Sequence, residues 1–144
     1  TFVGELPLES FAGDGIVIDV RDQKTIGLNN GIRGRTEPGD IILFYSGWDQ
    51  FFGEEDYFKD YPILDEKLVH WLINKKVKMI GLDWPSPDHD PWPMHQILLE
   101  NNILLLENLT NLDLLLDEAV FEIFAFPLKI NADSSVVRVV ARIS

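Results

Sequence analysis

Between residues 41 and 107 the sequence alternates apolar runs of strand length with segments of helical spacing, and no other feature constrains the fold as strongly. The apolar runs are residues 41–45, 77–83 and 103–107, and the helical segments are residues 64–75 and 94–100. A strand that returns through a helix to the same sheet forms a right-handed parallel crossover in nearly all proteins. The order therefore predicts an α/β fold with a mixed, mostly parallel sheet and flanking helices.

The remaining segments extend this sheet. Residues 16–20 are β-branched and are expected to form a strand after a turn at residues 13–15. Residues 120–130 and 136–143 are expected to form a final antiparallel strand pair. Residues 27–40 are polar and rich in glycine, asparagine and proline. Residues 46–62 hold six aromatic side chains among acidic ones, which is typical of a long loop that covers a pocket.

Size and composition narrow the class of protein. With 144 residues, of which 46% are apolar, the chain fits one globular domain spanning 1–144. A net charge of −12 argues against nucleic acid or an anionic membrane as a partner, and no apolar run approaches a membrane helix. The absence of cysteine excludes disulfides, thiolate metal sites and cysteine nucleophiles. Strands that are apolar on both faces need cover, so a closed homo-oligomer is expected.

Polar residues follow the predicted parallel strands, where ligands bind in open α/β sheets. The residues expected to line a substrate pocket at this edge are Trp48, Asp83, Ser86, Asp88 and Asn108.

One histidine and one glutamate stand out as candidate metal ligands. His95 lies near the start of the second helical segment and shares an inward stripe with Leu98 and Leu99, and Glu107 ends an apolar strand 12 residues later. We expect the two side chains to approach each other, a pair that suits a divalent metal such as zinc or manganese. The alternative is a packed core histidine and a solvated glutamate, because two ligands are fewer than a tight site uses.

The other two histidines fit no such pattern. His70 is expected at the surface of the first helical segment, or stacked on a neighbour, and His89 in a solvated acidic turn. The sequence contains no glycine-rich phosphate loop, nucleophile elbow or His-Glu-x-x-His motif.

Three segments together resemble one family. They are residues 81–88 (GLDWPSPD), 95–99 (HQILL) and 107–112 (ENLTNL), with further matches at residues 6–9, 39–43, 46–49 and 127–130. In this order they are similar to the C-terminal two thirds of the cyclase family of metal-dependent hydrolases, which includes bacterial kynurenine formamidase and isatin hydrolase.

The resemblance implies a swivelling β/β/α fold, assembly into dimers or tetramers, and a site for zinc or manganese, commonly as a pair. One of those metals would take its His and Glu from positions that match His95 and Glu107. The other ligands and the general base come from an upstream motif, His-x-x-x-His-x-Asp-x-Pro-x-His, which this sequence lacks. No catalytic residue is therefore identifiable here, and the chain is expected to begin just after that motif.

Two functions remain open at this point. The parent protein is expected to be a cytoplasmic metal-dependent hydrolase of small amide or cyclic amide substrates. The alternative is a catalytically inactive, truncated homologue that acts as an oligomerising or small-molecule-binding module.

Overall fold

The computed structural model describes all of residues 1–144 and contains eight strands and three α-helices. The strands are β1 Ala12–Asp19, β2 Thr25–Ile26, β3 Ile41–Tyr45, β4 Ile63–Leu64, β5 Met79–Leu82, β6 Leu104–Leu106, β7 Phe121–Phe124 and β8 Val140–Ile143. The helices are α1 Asn30–Arg35, α2 Glu66–Lys75 and α3 Pro93–Glu100. Short 3₁₀ turns lie at Val3–Glu5, Leu8–Phe11, Trp48–Phe51 and Leu112–Leu115. No helix is both long enough and apolar enough to cross a membrane.

Six strands form one sheet in the order β6-β5-β3-β1-β7-β8. The first four are mutually parallel, whereas β7 runs antiparallel to β1, and β8 runs antiparallel to β7. Strands β2 and β4 form a separate parallel pair. The predicted mixed, mostly parallel α/β fold is confirmed, including the antiparallel pairing of the last two strands.

Alternate residues of β3 enter two apolar layers on opposite faces of the sheet. Ile42 and Phe44 pack on the face covered by α2 and α3, whereas Ile41 and Leu43 pack on the other face. All four are fully buried, so the strand shows no alternation of polar and apolar residues. The layer beneath α2 and α3 supports the candidate site, since α3 carries His95.

The predicted turn at residues 13–15 is wrong, because these residues belong to β1 and pair with β7. A Cβ atom on Gly15 would lie 2.4 Å from the Phe121 ring, closer than atoms can approach. Glycine stands here to admit a neighbouring aromatic ring and not to bend the chain.

Several other elements differ from the prediction, and β5 and β6 are shorter than the predicted strands at residues 77–83 and 103–107. Helix α1 lies in the polar segment 27–40, where the Asn29 side chain caps it by accepting the Ile32 N–H at 2.9 Å. Helix α2 begins after Asp65, which caps it, and Leu64 belongs to β4. The final strands are shorter than expected: β7 ends three residues before Pro127, which has no N–H to donate.

Candidate functional site

The loops after β5 and β6 and the first turn of α3 surround a cavity of about 370 Å³. Its wall consists of Pro85, Ser86, Trp92, His95, Gln96 and Glu107. The cavity is large enough for a small organic molecule.

His95 and Glu107 meet in this cavity. The His95 Nδ1 and Glu107 Oε1 atoms are 3.5 Å apart, and each side chain is about one third exposed, at 33% and 30%. The prediction that they approach each other is confirmed, and the short connection from α3 to β6 explains it. Their role as metal ligands stays a prediction.

The inward stripe of α3 differs from the expected one. Met94 and Leu98 are buried, but Leu99 is 47% exposed. His95 therefore lies at the border of the buried face, with its imidazole partly open to the cavity. A histidine fully packed in the core would not be accessible to a ligand.

The Glu107 carboxyl lies in a setting that disfavours its charge. Burial raises its pKa, the neighbouring His95 lowers it, and the negative charge of Asp88 raises it further. Burial is the largest of these effects, so the net direction is upward. A cation beside Glu107 would compensate the buried negative charge.

Three buried side-chain oxygens have no hydrogen-bond partner, and all three belong to this part of the molecule. They are Ser86 Oγ, Asp88 Oδ1 and Glu107 Oε1. A buried polar group without a partner costs roughly 1–3 kcal/mol of stability. Such atoms are rare in native proteins and call for a specific explanation, such as an ion or a ligand.

Asp88 holds the first turn of α3 in place. Its Oδ2 atom accepts the Met94 N–H at 2.6 Å. The residue preceding the helix, Trp92, has a left-handed backbone and provides no side-chain cap. Asp88, four residues before Trp92, caps the helix instead. It thereby positions His95, which follows Met94.

Asp83 is separate from the cavity. It is fully buried, and its carboxylate accepts the N–H groups of Ser46 at 3.0 Å and Gly47 at 2.8 Å and the Ser46 hydroxyl at 2.5 Å. With its oxygens engaged by the chain, Asp83 ties the end of β3 to the end of β5. Burial raises its pKa, although these donors oppose the shift.

Trp48 and Asn108 lie in the same supporting network. The Trp48 indole N–H donates to the Tyr57 carbonyl at 2.9 Å, and the Tyr57 hydroxyl donates to Asn108 Oδ1 at 2.8 Å. This network fixes the segment 46–62 beside Glu107. Of the five predicted pocket residues, Ser86 lines the cavity, Asp88 caps the helix, and the other three support the surrounding loops.

Trp92 and Gln96 line the cavity although the sequence did not single them out. Pro93 is the first residue of α3. A proline at this position indicates a helix start in the sequence, and could have indicated that Trp92 and Gln96 lie near the cavity.

The other two histidines lie outside the cavity wall, as expected. His70 is exposed on α2, 3.6 Å from Glu66. His89 is exposed in its turn, where its Nε2 atom is 3.1 Å from the Tyr61 carbonyl.

A second cavity of about 360 Å³ lies at the ends of β1 and β3. Its lining is polar and includes Arg21, Asp22, Asp49 and Asp113. The Arg21 guanidinium is already paired with Asp19 at 2.7 Å. With no buried unpartnered atom at this place, the second cavity is the weaker candidate.

We expect the Tyr57 hydroxyl to stay protonated well above the usual range. Burial, reinforced by the charges of Asp83 and Asp49, raises the pKa of Tyr57 from 10.0 to about 12. Its contribution to stability is therefore present below pH 10.0 and lost as the pH rises through about 12. The difference in tyrosinate absorbance between the parent chain and Tyr57→Phe should have its midpoint near the upper value, and a midpoint near 10.0 would contradict the network.

No group of three or more His, Cys, Asp or Glu side chains is arranged to hold a metal ion. The chain therefore offers two converging donors, His95 and Glu107. Two donors with an unpartnered carboxylate oxygen fit part of the coordination shell of a divalent ion.

Comparison with known proteins gives consistent matches. A family model described as "Putative cyclase" matches residues 1–89. An uncharacterized protein of Methanocaldococcus jannaschii is 33% identical over 121 aligned residues, which cover 81% of this chain and 61% of that protein. A kynurenine formamidase of Bordetella petrii is 30% identical, with coverage of 97% and 68%. Isatin hydrolase A from Labrenzia aggregata, solved with benzyl benzoate, superposes with a TM-score of 0.84 at 26% identity, covering 97% of this chain and 64% of that one.

The chain is shorter than these proteins. It spans 61% of the M. jannaschii protein and 63% of a kynurenine formamidase of Erythrobacter litoralis. The family model ends before His95 and Glu107, but the alignment to the E. litoralis formamidase covers 95% of the chain.

Proposed function

Since the chain belongs to the putative cyclase family, we propose that it carries the His and Glu ligands of a divalent metal in a hydrolase of small amides. The observation that carries this proposal is the His95–Glu107 pair in the cavity, where the buried Glu107 Oε1 atom lies 3.5 Å from His95 Nδ1 and accepts no hydrogen bond. One imidazole nitrogen and one carboxylate oxygen suit zinc or manganese.

We place the remaining metal ligands and the general base outside the residues described here. Two observations support this: no third His, Asp or Glu joins the pair, and the hydrolases with similar sequences are longer than this chain. The chain would then supply one side of a site that further polypeptide completes.

The residues around the cavity have separate roles in this proposal. A bound divalent ion supplies a Lewis acid that polarises an amide carbonyl and makes water a better nucleophile. Glu107 and His95 would hold that ion, and its positive charge would offset the upward shift in the pKa of Glu107. Asp88 fixes the helical turn that carries His95, and Trp92 and Gln96 shape the wall against which a substrate lies.

The size of the cavity and the relatives support a proposal for the substrate class. A cavity of about 370 Å³ suits a small molecule. The names of the relatives, kynurenine formamidase and isatin hydrolase, indicate an N-formyl amide and a cyclic amide as substrates of those proteins. We propose a small N-acyl or cyclic amide as the substrate here.

We expect hydrolysis of N-formylkynurenine to depend on both metal and His95. In the complete gene product, Zn²⁺ or Mn²⁺ should support release of formate, and His95→Ala should lower the rate at least about 100-fold because an ion ligand is lost. The 144-residue chain alone should show no turnover with either metal.

His70→Ala is the matched control, because His70 is exposed on α2 and outside the cavity wall. Metal-dependent turnover that survives His95→Ala would overturn the proposal. Turnover by the chain alone that disappears in His95→Ala would show that it already contains the remaining ligands.

A further inference from the structure

Ser86 carries a buried polar atom in the cavity wall that a metal at His95 and Glu107 does not explain. The residue is only 7% exposed, and its hydroxyl makes no hydrogen bond of regular geometry in the protein, although the Tyr61 side chain lies close to it. It lines the same cavity as His95 and Glu107. A buried hydroxyl without a partner is unfavourable in the free protein, so its presence indicates a partner that arrives with the ligand.

The backbone that carries this hydroxyl is held rigidly from the core. The fully buried Trp84 donates its indole N–H to the Ser86 carbonyl at 2.7 Å. The Leu64 N–H donates to the Pro87 carbonyl at 2.8 Å, and the Tyr61 hydroxyl donates to the Asp88 carbonyl at 2.8 Å. Three successive carbonyls are thus anchored, which leaves the Ser86 side chain presented from a fixed position. The Oγ atom itself is buried in the free protein, so a small movement of the cavity wall would bring it into contact with a ligand atom.

The chemistry of the cavity indicates which ligand atom this is. Ionised Glu107 can only accept hydrogen bonds, whereas the Ser86 hydroxyl can donate one. An amide presents a carbonyl oxygen that needs a donor. We propose that Ser86 Oγ–H donates a hydrogen bond to the carbonyl oxygen of the amide substrate in this cavity. The inference rests on the proposed function and assigns a substrate contact to that site.

Substitution of Ser86 by alanine tests this contact without relying on turnover. N-formylkynurenine labelled with ¹³C at the formyl carbonyl is bound to the complete gene product in the presence of EDTA, so that metal-dependent hydrolysis does not intervene. Ser86→Ala should bind about tenfold more weakly, which corresponds to the loss of one hydrogen bond. The infrared stretch of the labelled carbonyl should move to higher frequency than in the parent complex. Ser86→Cys, with a weaker donor of similar shape, should give intermediate values.

Thermal unfolding separates a ligand contact from a structural role. Ser86→Ala should change the Tm much less than the loss of a regular buried hydrogen bond does, because the hydroxyl makes no such bond in the protein. The matched control is Thr36→Val. It removes a buried hydroxyl that is not part of the cavity wall and that donates a hydrogen bond to the Ile32 carbonyl at 2.7 Å. This control should lower the Tm and leave ligand binding unchanged.

Each other outcome has a definite meaning. Unchanged affinity and carbonyl frequency in Ser86→Ala would overturn the contact, and a lowered Tm with unchanged binding would assign the hydroxyl to the neighbouring Asp88 instead. If the folded complete gene product does not bind N-formylkynurenine at all, the substrate class of the proposed function is wrong, and the Ser86 contact with that substrate is wrong with it.

Discussion

Asp83→Ala should lower the free energy of unfolding by about 3 kcal/mol or more, although Asp83 contacts no cavity atom. The substitution removes a fully buried carboxylate and leaves the partly buried N–H groups of Ser46 and Gly47 and the Ser46 hydroxyl without their acceptor. Each unsatisfied donor carries its own desolvation cost. The loss should appear as a lower urea midpoint with an unchanged m-value, followed by tryptophan fluorescence.

Two further variants make this result specific. Asp83→Asn keeps one acceptor oxygen but turns an NH₂ group toward the donors. We therefore expect it to lower the free energy of unfolding, but by less than Asp83→Ala does. Asp117→Ala is the matched control, because Asp117 is exposed and makes no hydrogen bond. Equal stability of the Asp83 and Asp117 alanine variants would show that the buried carboxylate does not hold the ends of β3 and β5 together.

The parts of the fold that the sequence predicts well are those set by local burial. Strand β3 has its predicted bounds because every position from Ile41 to Phe44 is buried, and a continuous apolar run of this length identifies such a strand. The His95–Glu107 pair was predictable for a similar reason. Only two asparagines join the helical and strand segments, so their spacing along the chain determines their distance in space.

Other features depend on contacts that a local pattern does not contain. The glycines at 13 and 15 have the composition of a turn, but Gly15 is required by the Phe121 ring, more than 100 residues away in sequence. Helix α1 contains Gly31 and Gly34, which weaken its helical signal, and it depends on the Asn29 cap and the fully buried Ile32.

The candidate site shows the same division. Asp83 was predicted to line the pocket because it follows a strand, yet its partners Ser46 and Gly47 lie 37 and 36 residues earlier. The backbone around Ser86 is held by hydrogen bonds from Trp84, Leu64 and Tyr61 to the carbonyls of residues 86–88. Only the folded loops show that the Asp83 carboxylate is hydrogen-bonded within the protein, whereas the Ser86 hydroxyl is not.

Glu107→Gln and His95→Ala should each weaken Zn²⁺ binding by the 144-residue chain about 100-fold, if both donate to one ion. The Gln side chain keeps the size of Glu107 but loses the charge of the unpartnered oxygen. Because removal of either ligand dismantles the same site, the double variant should bind hardly more weakly than either single one. Isothermal titration calorimetry, or competition with a chromophoric chelator, measures these affinities.

The chain provides its own matched control for that measurement. Glu66 and His70 form a second His–Glu pair with a separation of 3.6 Å, close to the 3.5 Å between His95 and Glu107, but both are exposed on α2. With a net charge of −12, the protein attracts cations non-specifically, and such binding would respond equally to both pairs. We expect Glu66→Gln and His70→Ala to leave the affinity unchanged. Additive losses of Zn²⁺ affinity in the Glu107 and His95 double variant would contradict a shared ion. Equal losses of affinity at the two His–Glu pairs would contradict it as well, because only His95 and Glu107 line the cavity.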